Sequence, residues 1–299
     1  MNENDNRLLV LLDGSERALD AVRYVASVKG FASMKVVVLL NVYARIPDSY
    51  LDLETKPAED ERVARWFTDQ EKKRIEYMER AADILKNSGI SAVETKVQQI
   101  IRGVARDILA MAKEGYSAVV LTRRGMGLLA GLPIGSVAGK LLQYMSFLPI
   151  ALVGENATSD RILIAVDGSE DSLKAAGFAG GMLVQGKHVE LLHVIRNQHG
   201  PNYMMDERDI EQAKTHIQDV FASIRDQLVS KGANPTDISW KIIDDAASRA
   251  GSILQEAKTG GYDTIVLGRK GLSRTDDFSM GRVTAKVVQM ADPLNVWLV

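Results

Sequence analysis

Two glycine-bearing segments and two Asp-Gly-Ser turns are the residues of this chain best suited to chemistry. The first segment runs Thr122-Arg123-Arg124-Gly125, then nine residues, then Gly135-Ser136-Val137. The second runs Gly268-Arg269-Lys270-Gly271, again nine residues, then Gly281-Arg282-Val283. Glycine lets a backbone come close to a ligand. A helix opening at Gly135 or Gly281 would turn unpaired N–H groups and its positive dipole end toward whatever lies there, an arrangement suited to phosphate. The Ser136 hydroxyl would donate one more hydrogen bond, and Arg123, Arg124, Arg269 and Lys270 are expected to add positive charge at the same mouth. Strand ends and helix caps use glycines in the same way, so the spacing alone also fits a purely structural role.

The turns are Asp13-Gly14-Ser15 and Asp167-Gly168-Ser169, each after a short apolar run. Ser15 and Ser169 read as helix N-caps. A cap does not need the aspartate, and a carboxylate at the end of a strand is expected to face a ligand crevice.

These features recur because the chain repeats itself. RLLVLLDGSERALDA at 7–21 matches RILIAVDGSEDSLKA at 161–175, and EGYSAVVLTRRG at 114–125 matches GGYDTIVLGRKG at 260–271. A period this long marks two domains rather than a solenoid, with boundaries expected at 1–155 and 159–299 and GENATSD (154–160) as the linker. Apolar runs at Leu8–Leu12, Val36–Val42, Val93–Val97, Ala118–Leu121 and Pro149–Val153 recur at Ile162–Val166, Val189–Val194, Ile238–Ile243, Thr264–Leu267 and Leu294–Val299. Such continuous runs suit strands buried on both faces. Helical stretches separate them, as in Ile75, Met78, Ala82, Leu85 and in Ile210, Ala213, Ile217, Val220, Ile224, Leu228. The expected fold is therefore α/β, two tandem doubly wound domains, each a five-stranded parallel sheet of order 3-2-1-4-5 flanked by four helices. Ligands in that architecture sit beyond the carboxyl ends of the strands. The charged stretch 54–80 reads as a solvated helix face with i, i+4 pairs such as Asp69–Lys73 and Glu76–Arg80.

Composition removes several classes. With 37 Lys and Arg against 39 Asp and Glu there is no global basic footprint for nucleic acid or anionic lipid. The absence of Cys excludes disulfides, thiolate metal sites and cysteine nucleophiles. No apolar run approaches a membrane span, and the polar start of the chain is unlike a secretory signal, so a cytoplasmic location is expected. There is no G-x4-G-K-[ST] loop. His188, His193, His199 and His216 all fall in the second half without metal-ligand spacing, so a Ser-His-Asp site repeated in both halves is impossible.

Taken together, the DGS turns, LLNV at 39–42 and LLHV at 191–194, and the paired glycine segments resemble the universal stress protein family across nearly the whole chain, twice. The resemblance implies an adenine pocket using Asp13 and the backbone of Val42 in one half, and Asp167 and Val194 in the other. It implies phosphates against Gly125, Gly135, Ser136 and Val137, or against Gly268, Gly271, Gly281 and Val283. ATP, with Mg2+ where the phosphates carry it, is the implied ligand, and the implied role is regulatory rather than catalytic, with no assigned catalytic or metal-ligating residue. It further implies pairing of the last strands, 149–153 and 295–299, within the chain, and leaves room for a homodimer. Two positions depart from the pattern: Thr122 replaces the first glycine of one segment and Arg282 the hydroxyl residue of the other. Asp276 and Asp277 would repel phosphate unless a divalent cation lay between. Unequal sites are expected, the first half being favoured. An ATP pyrophosphatase-type enzyme and a nucleotide-free scaffold are the alternatives; the former would carry S-G-G-x-D-[ST] where this chain has DGS.

Overall fold

The computed structural model describes residues 6–43, 61–125, 133–155, 158–196, 207–272 and 279–299. Asp276, Asp277 and His199 lie outside them. In the first half the order is β1 (Arg7–Leu12), α1 (Leu19–Ser27), β2 (Val36–Tyr43), α2 (Glu61–Asn87), β3 (Val93–Gln99), α3 (Val104–Ala112), β4 (Ala118–Thr122), α4 (Ser136–Tyr144) and β5 (Ile150–Val153). The second half repeats it as β6 (Arg161–Ala165), α5 (Glu170–Met182), β7 (His188–Arg196), α6 (Glu207–Ser230), β8 (Ile238–Ala246), α7 (Arg249–Thr259), β9 (Thr264–Leu267), α8 (Arg282–Met290) and β10 (Asn295–Leu298).

All strands within a half are parallel, in the order 3-2-1-4-5. The two sheets are one: β5 and β10 pair antiparallel, Trp297 opposite Ala151, giving the ten-stranded order β3-β2-β1-β4-β5-β10-β9-β6-β7-β8. Each terminal strand would otherwise expose unpaired N–H and C=O groups along its edge; here Ile150, Ala151 and Leu152 pair with Leu298, Trp297 and Val296. Helices α1, α2, α5 and α6 pack one face of this sheet and α3, α4, α7 and α8 the other. Both cores cross the junction between the halves. Trp297, fully buried, lies against Phe178 of its own half and against Tyr24 and Phe31 of the other, and its indole N–H donates to the Tyr24 hydroxyl at 2.7 Å.

On α2, Met78, Ala82 and Leu85 are buried as the helical period requires, whereas Ile75 is half exposed. Its ion pairs differ from expectation. Glu76 pairs with Lys72, and Arg80 leaves the helix to reach Glu16; the guanidinium is long enough to tie α2 to the turn before α1.

Candidate functional site

A cleft of about 1150 Å3 opens at the carboxyl ends of β1, β2 and β4. All six residues singled out in the first half, Asp13, Val42, Gly125, Gly135, Ser136 and Val137, line it. Several devices build it. Gly14 takes φ +90°, a conformation few side chains adopt, and so turns the chain sharply after β1. The carboxylate of Asp13 then accepts from the Ser15 N–H at 3.0 Å and from its hydroxyl at 2.6 Å through Oδ1. Its other oxygen lies so close to Gly125 that a Cβ there would stand 1.9 Å from it. The aspartate thus explains the glycine: the two motifs touch across the sheet edge. In the second half Gly271 and Asp167 repeat the contact, a Cβ there meeting Oδ2 at 2.5 Å, and Asp167 Oδ1 accepts from the Ser169 N–H.

At the other wall, the Gly135 N–H donates to the Arg123 carbonyl at 2.8 Å and no side chain caps α4. The first N–H groups of the helix, from Ser136 onward, therefore face the cleft without an intrahelical acceptor. On β2, the Val37 N–H and the Tyr43 carbonyl both bond toward β3. By the alternation of a strand, Val42 turns its own groups toward β1, which has already ended at Leu12. Its carbonyl opens onto the cleft. Next to it the Asn41 amide, 4 % exposed, donates to the Leu12 carbonyl at 2.8 Å, while its Oδ1 has no partner among the described residues. Tyr77 closes the α2 side and donates to the Ser15 carbonyl at 2.9 Å. Burial pushes its hydroxyl above the usual tyrosine range, and the Asp13 and Glu16 carboxylates push it further, so it stays a donor at neutral pH.

The second half builds the same frame and fills it. The Val194 carbonyl accepts from Arg249 Nε at 3.3 Å; the matching position at the start of α3 is Val104, an apolar residue lining the open cleft. A Cβ on Gly268 would stand 2.6 Å from the Asp171 backbone, so this glycine admits the start of α5 rather than a ligand. That approach lets the Asp171 carboxylate accept from the Lys270 N–H at 3.0 Å. Thr122, the residue matching Gly268, carries the Cβ that forbids it, and the first turns differ accordingly: α5 begins one residue after Ser169, which caps it, whereas α1 begins only at Leu19. Gly281 bonds the Arg269 carbonyl as Gly135 bonds that of Arg123, and Arg282 and Val283 open α8. His193 Nδ1 lies 2.7 Å from the Val166 carbonyl, the tie that Asn41 makes in the first half, and burial lowers its pKa.

The arginines after β4 and β9 do not supply charge to either mouth. Arg123, buried, sends its guanidinium across the junction to the Val288 carbonyl at 2.5 Å and to the Leu294 carbonyl. Arg269 reciprocates with the carbonyls of Leu142, at 3.1 Å, and Met145. Each caps the carboxyl end of the helix whose start is the other half's glycine wall. Burial lowers both to about 10, which still leaves them charged at neutral pH. Arg124 pairs with Asp292 across the same junction. Helix carbonyls deprived of water attract buried cations more strongly than an open cleft does.

The family model described as Universal stress protein family matches residues 6–153 and 158–299. The chain belongs to the universal stress protein family. Among solved structures it is similar over 99 % of its length to a universal stress protein from Archaeoglobus fulgidus DSM 4304, at 17 % identity, 96 % coverage of that chain and TM-score 0.61. A putative universal stress protein from Pseudomonas aeruginosa UCBPP-PA14 matches at 15 % identity, with 99 % of this chain and 93 % of that one covered and TM-score 0.59. At these identities the likeness shows the shared fold, tandem halves included. No curated protein sequence matches the chain significantly.

The universal stress protein motifs did not disclose everything that lines the cleft. Trp66, Phe67, Gln70, Lys73, Arg74 and Tyr77 come from the charged part of α2 that the sequence presents as a solvated face. Arg74 lies 3.7 Å over the Tyr43 ring. The signal was the aromatic pair Trp66-Phe67 inside a run of charge, which an exposed helix has no need of.

Proposed function

We propose that this universal stress protein holds ATP or a related adenine nucleotide in its first half and acts through occupancy rather than catalysis. The carrying observation is the cleft itself. Among the described residues, the Val42 carbonyl and the unpartnered Asn41 Oδ1 offer acceptors suited to the amino edge of adenine, Asp13 suits a ribose hydroxyl, and the uncapped start of α4 at Gly135-Ser136-Val137 suits phosphate. Asp13 and Glu71 are the carboxylates among the residues lining the cleft, so Mg2+ would be carried chiefly by the phosphates. No histidine occurs in the first half, which leaves this cleft without an imidazole base and favours slow or absent hydrolysis. A nucleotide-free role is favoured for the second half alone, where Arg249 and Asp171 occupy the groups that Val194 and Lys270 would offer a ligand.

The test is calorimetry with ATP on Ser136→Asp. Placing a carboxylate beside phosphate should weaken binding by about tenfold or more, equivalent to about 1.4 kcal/mol; unchanged affinity would remove the helix start from the site. Native mass spectrometry of the purified chain should show one nucleotide, not two.

A further inference from the structure

Beside the first-half cleft a groove of about 870 Å3 runs between α3 and α4, and the two spaces share Val104, Ser136 and Val137. Both helices begin at the carboxyl edge of the sheet, so the groove leads from Ser136 down to Lys113, Tyr144 and Phe147. Along α4 this is about 12 Å at about 1.5 Å per residue. Among the described residues four cations, Arg102, Arg106, Lys113 and Lys140, line it and no carboxylate does. Arg102 lies 3.7 Å from Asp107, whose oxygens are held by the N–H groups of Ile101 and Arg102. At the far end Tyr144 and Phe147 are exposed rings, and Lys113 stands 5.8 Å from the Phe147 centroid.

The fold does not demand this groove. In the second half the positions matching Arg102, Arg106, Tyr144 and Phe147 hold Ala247, Gly251, Met290 and Pro293. Lys258 and Lys286 match Lys113 and Lys140, so what the half with the open cleft adds to the shared lysines is the two arginines and the aromatic end.

We infer that the first half takes a dinucleoside polyphosphate. One nucleoside occupies the cleft, the phosphate chain passes over Ser136 and along Lys140 and Arg106, and the second base rests on Phe147 and Tyr144. A mononucleotide ends at Ser136 and leaves Arg106, Lys113 and Lys140 unused, with Arg102 facing only Asp107. The inference rests on the nucleotide reading of the cleft given above.

The experiment is calorimetry of the full chain with diadenosine tetraphosphate and with ATP. Diadenosine tetraphosphate should bind more tightly by about tenfold, the return on one charge-assisted contact held in the groove. Lys113→Glu and Phe147→Ala should each shrink that advantage while leaving ATP affinity within about twofold. Equal affinity for the two ligands in the unaltered chain, or equal loss of both in the variants, overturns the groove and leaves the cleft standing. Failure of both ligands to bind the unaltered chain overturns the cleft reading and this inference with it. A single-stranded oligoribonucleotide that displaces diadenosine tetraphosphate from the groove overturns it in favour of nucleic acid.

Discussion

Replacing Arg269 tests how the halves hold each other. Its guanidinium donates to the carbonyls of Leu142 and Met145 at the end of α4, and both bonds are buried. In Arg269→Met the methylene stem is kept and both carbonyls lose their donor. A buried polar group left unpaired costs about 1–3 kcal/mol. Two such groups would cost about 2–6 kcal/mol, and the relief of no longer burying a guanidinium offsets several kcal/mol of that at most. A net loss of about 2 kcal/mol is expected, a drop in Tm of about 4–8 °C at about 2–4 °C per kcal/mol for a chain of this class. Thermal unfolding by circular dichroism reads the shift, and hydrogen exchange reads its location: amides at the end of α4 in the first half should lose protection although the substitution lies in the second. A Met variant as stable as the parent would refute the reasoning, because desolvation would then outweigh the bonds and the arginine would contribute no stability.

Exchanging the residues at the starts of α3 and α7 should exchange the clefts. Val104→Arg is expected to weaken ATP binding by about tenfold, since a guanidinium would compete for the Val42 carbonyl, while Arg249→Val should add a second, weaker site visible as a change in calorimetric stoichiometry. Trp297→Ala removes a fully buried ring packed on both halves and should cost about 3–5 kcal/mol, lowering a single shared unfolding transition in calorimetry rather than splitting off one half. Burial alone would raise the Asp107 carboxyl, but the N–H groups of Ile101, Arg102 and Gly103 outweigh it and hold the pKa below the usual range. The folded state then binds this proton less readily than the unfolded one, so the stabilisation is complete above the ordinary carboxylate pKa and disappears as pH falls through the lowered value. Asp107→Asn should therefore lower Tm by a few degrees at neutral pH, with the difference from the parent closing on acidification.

The order of strands and helices was legible because buried parallel strands and amphipathic helices write different periods, and because the repeat wrote each of them twice. The pairing of the last strands came from the resemblance, with which the short apolar ends at 149–153 and 295–299, each an exposed edge if left alone, agreed. Side-chain direction was not legible. Arg123 and Arg269 stand beside the glycines in sequence, yet both leave for carbonyls of the opposite half, which only the three-dimensional junction brings near. Nor could the chain order show that Arg249 reaches Val194, or that a missing Cβ at Gly268 admits α5 instead of a ligand. Thr122 and Arg282 were visible departures, but the residue at the start of α3 or α7 carried no motif to mark it.

These contacts sort the duplicated positions by what each can tolerate. Arg123 and Arg269 serve the same purpose reciprocally, each holding the end of a helix in the other half, so losing either would leave buried carbonyls in the domain that did not change. Positions that face only their own cleft carry no such obligation. Val104 and Arg249, Ser136 and Arg282, Thr122 and Gly268 have accordingly come to differ, while the frame of Asp13 and Gly125, or Asp167 and Gly271, remains. Because Arg269 grips the end of α4 and Ser136 stands at its start, the filled second half is not idle. It supplies the anchor at one end of the helix whose other end forms the open cleft of the first.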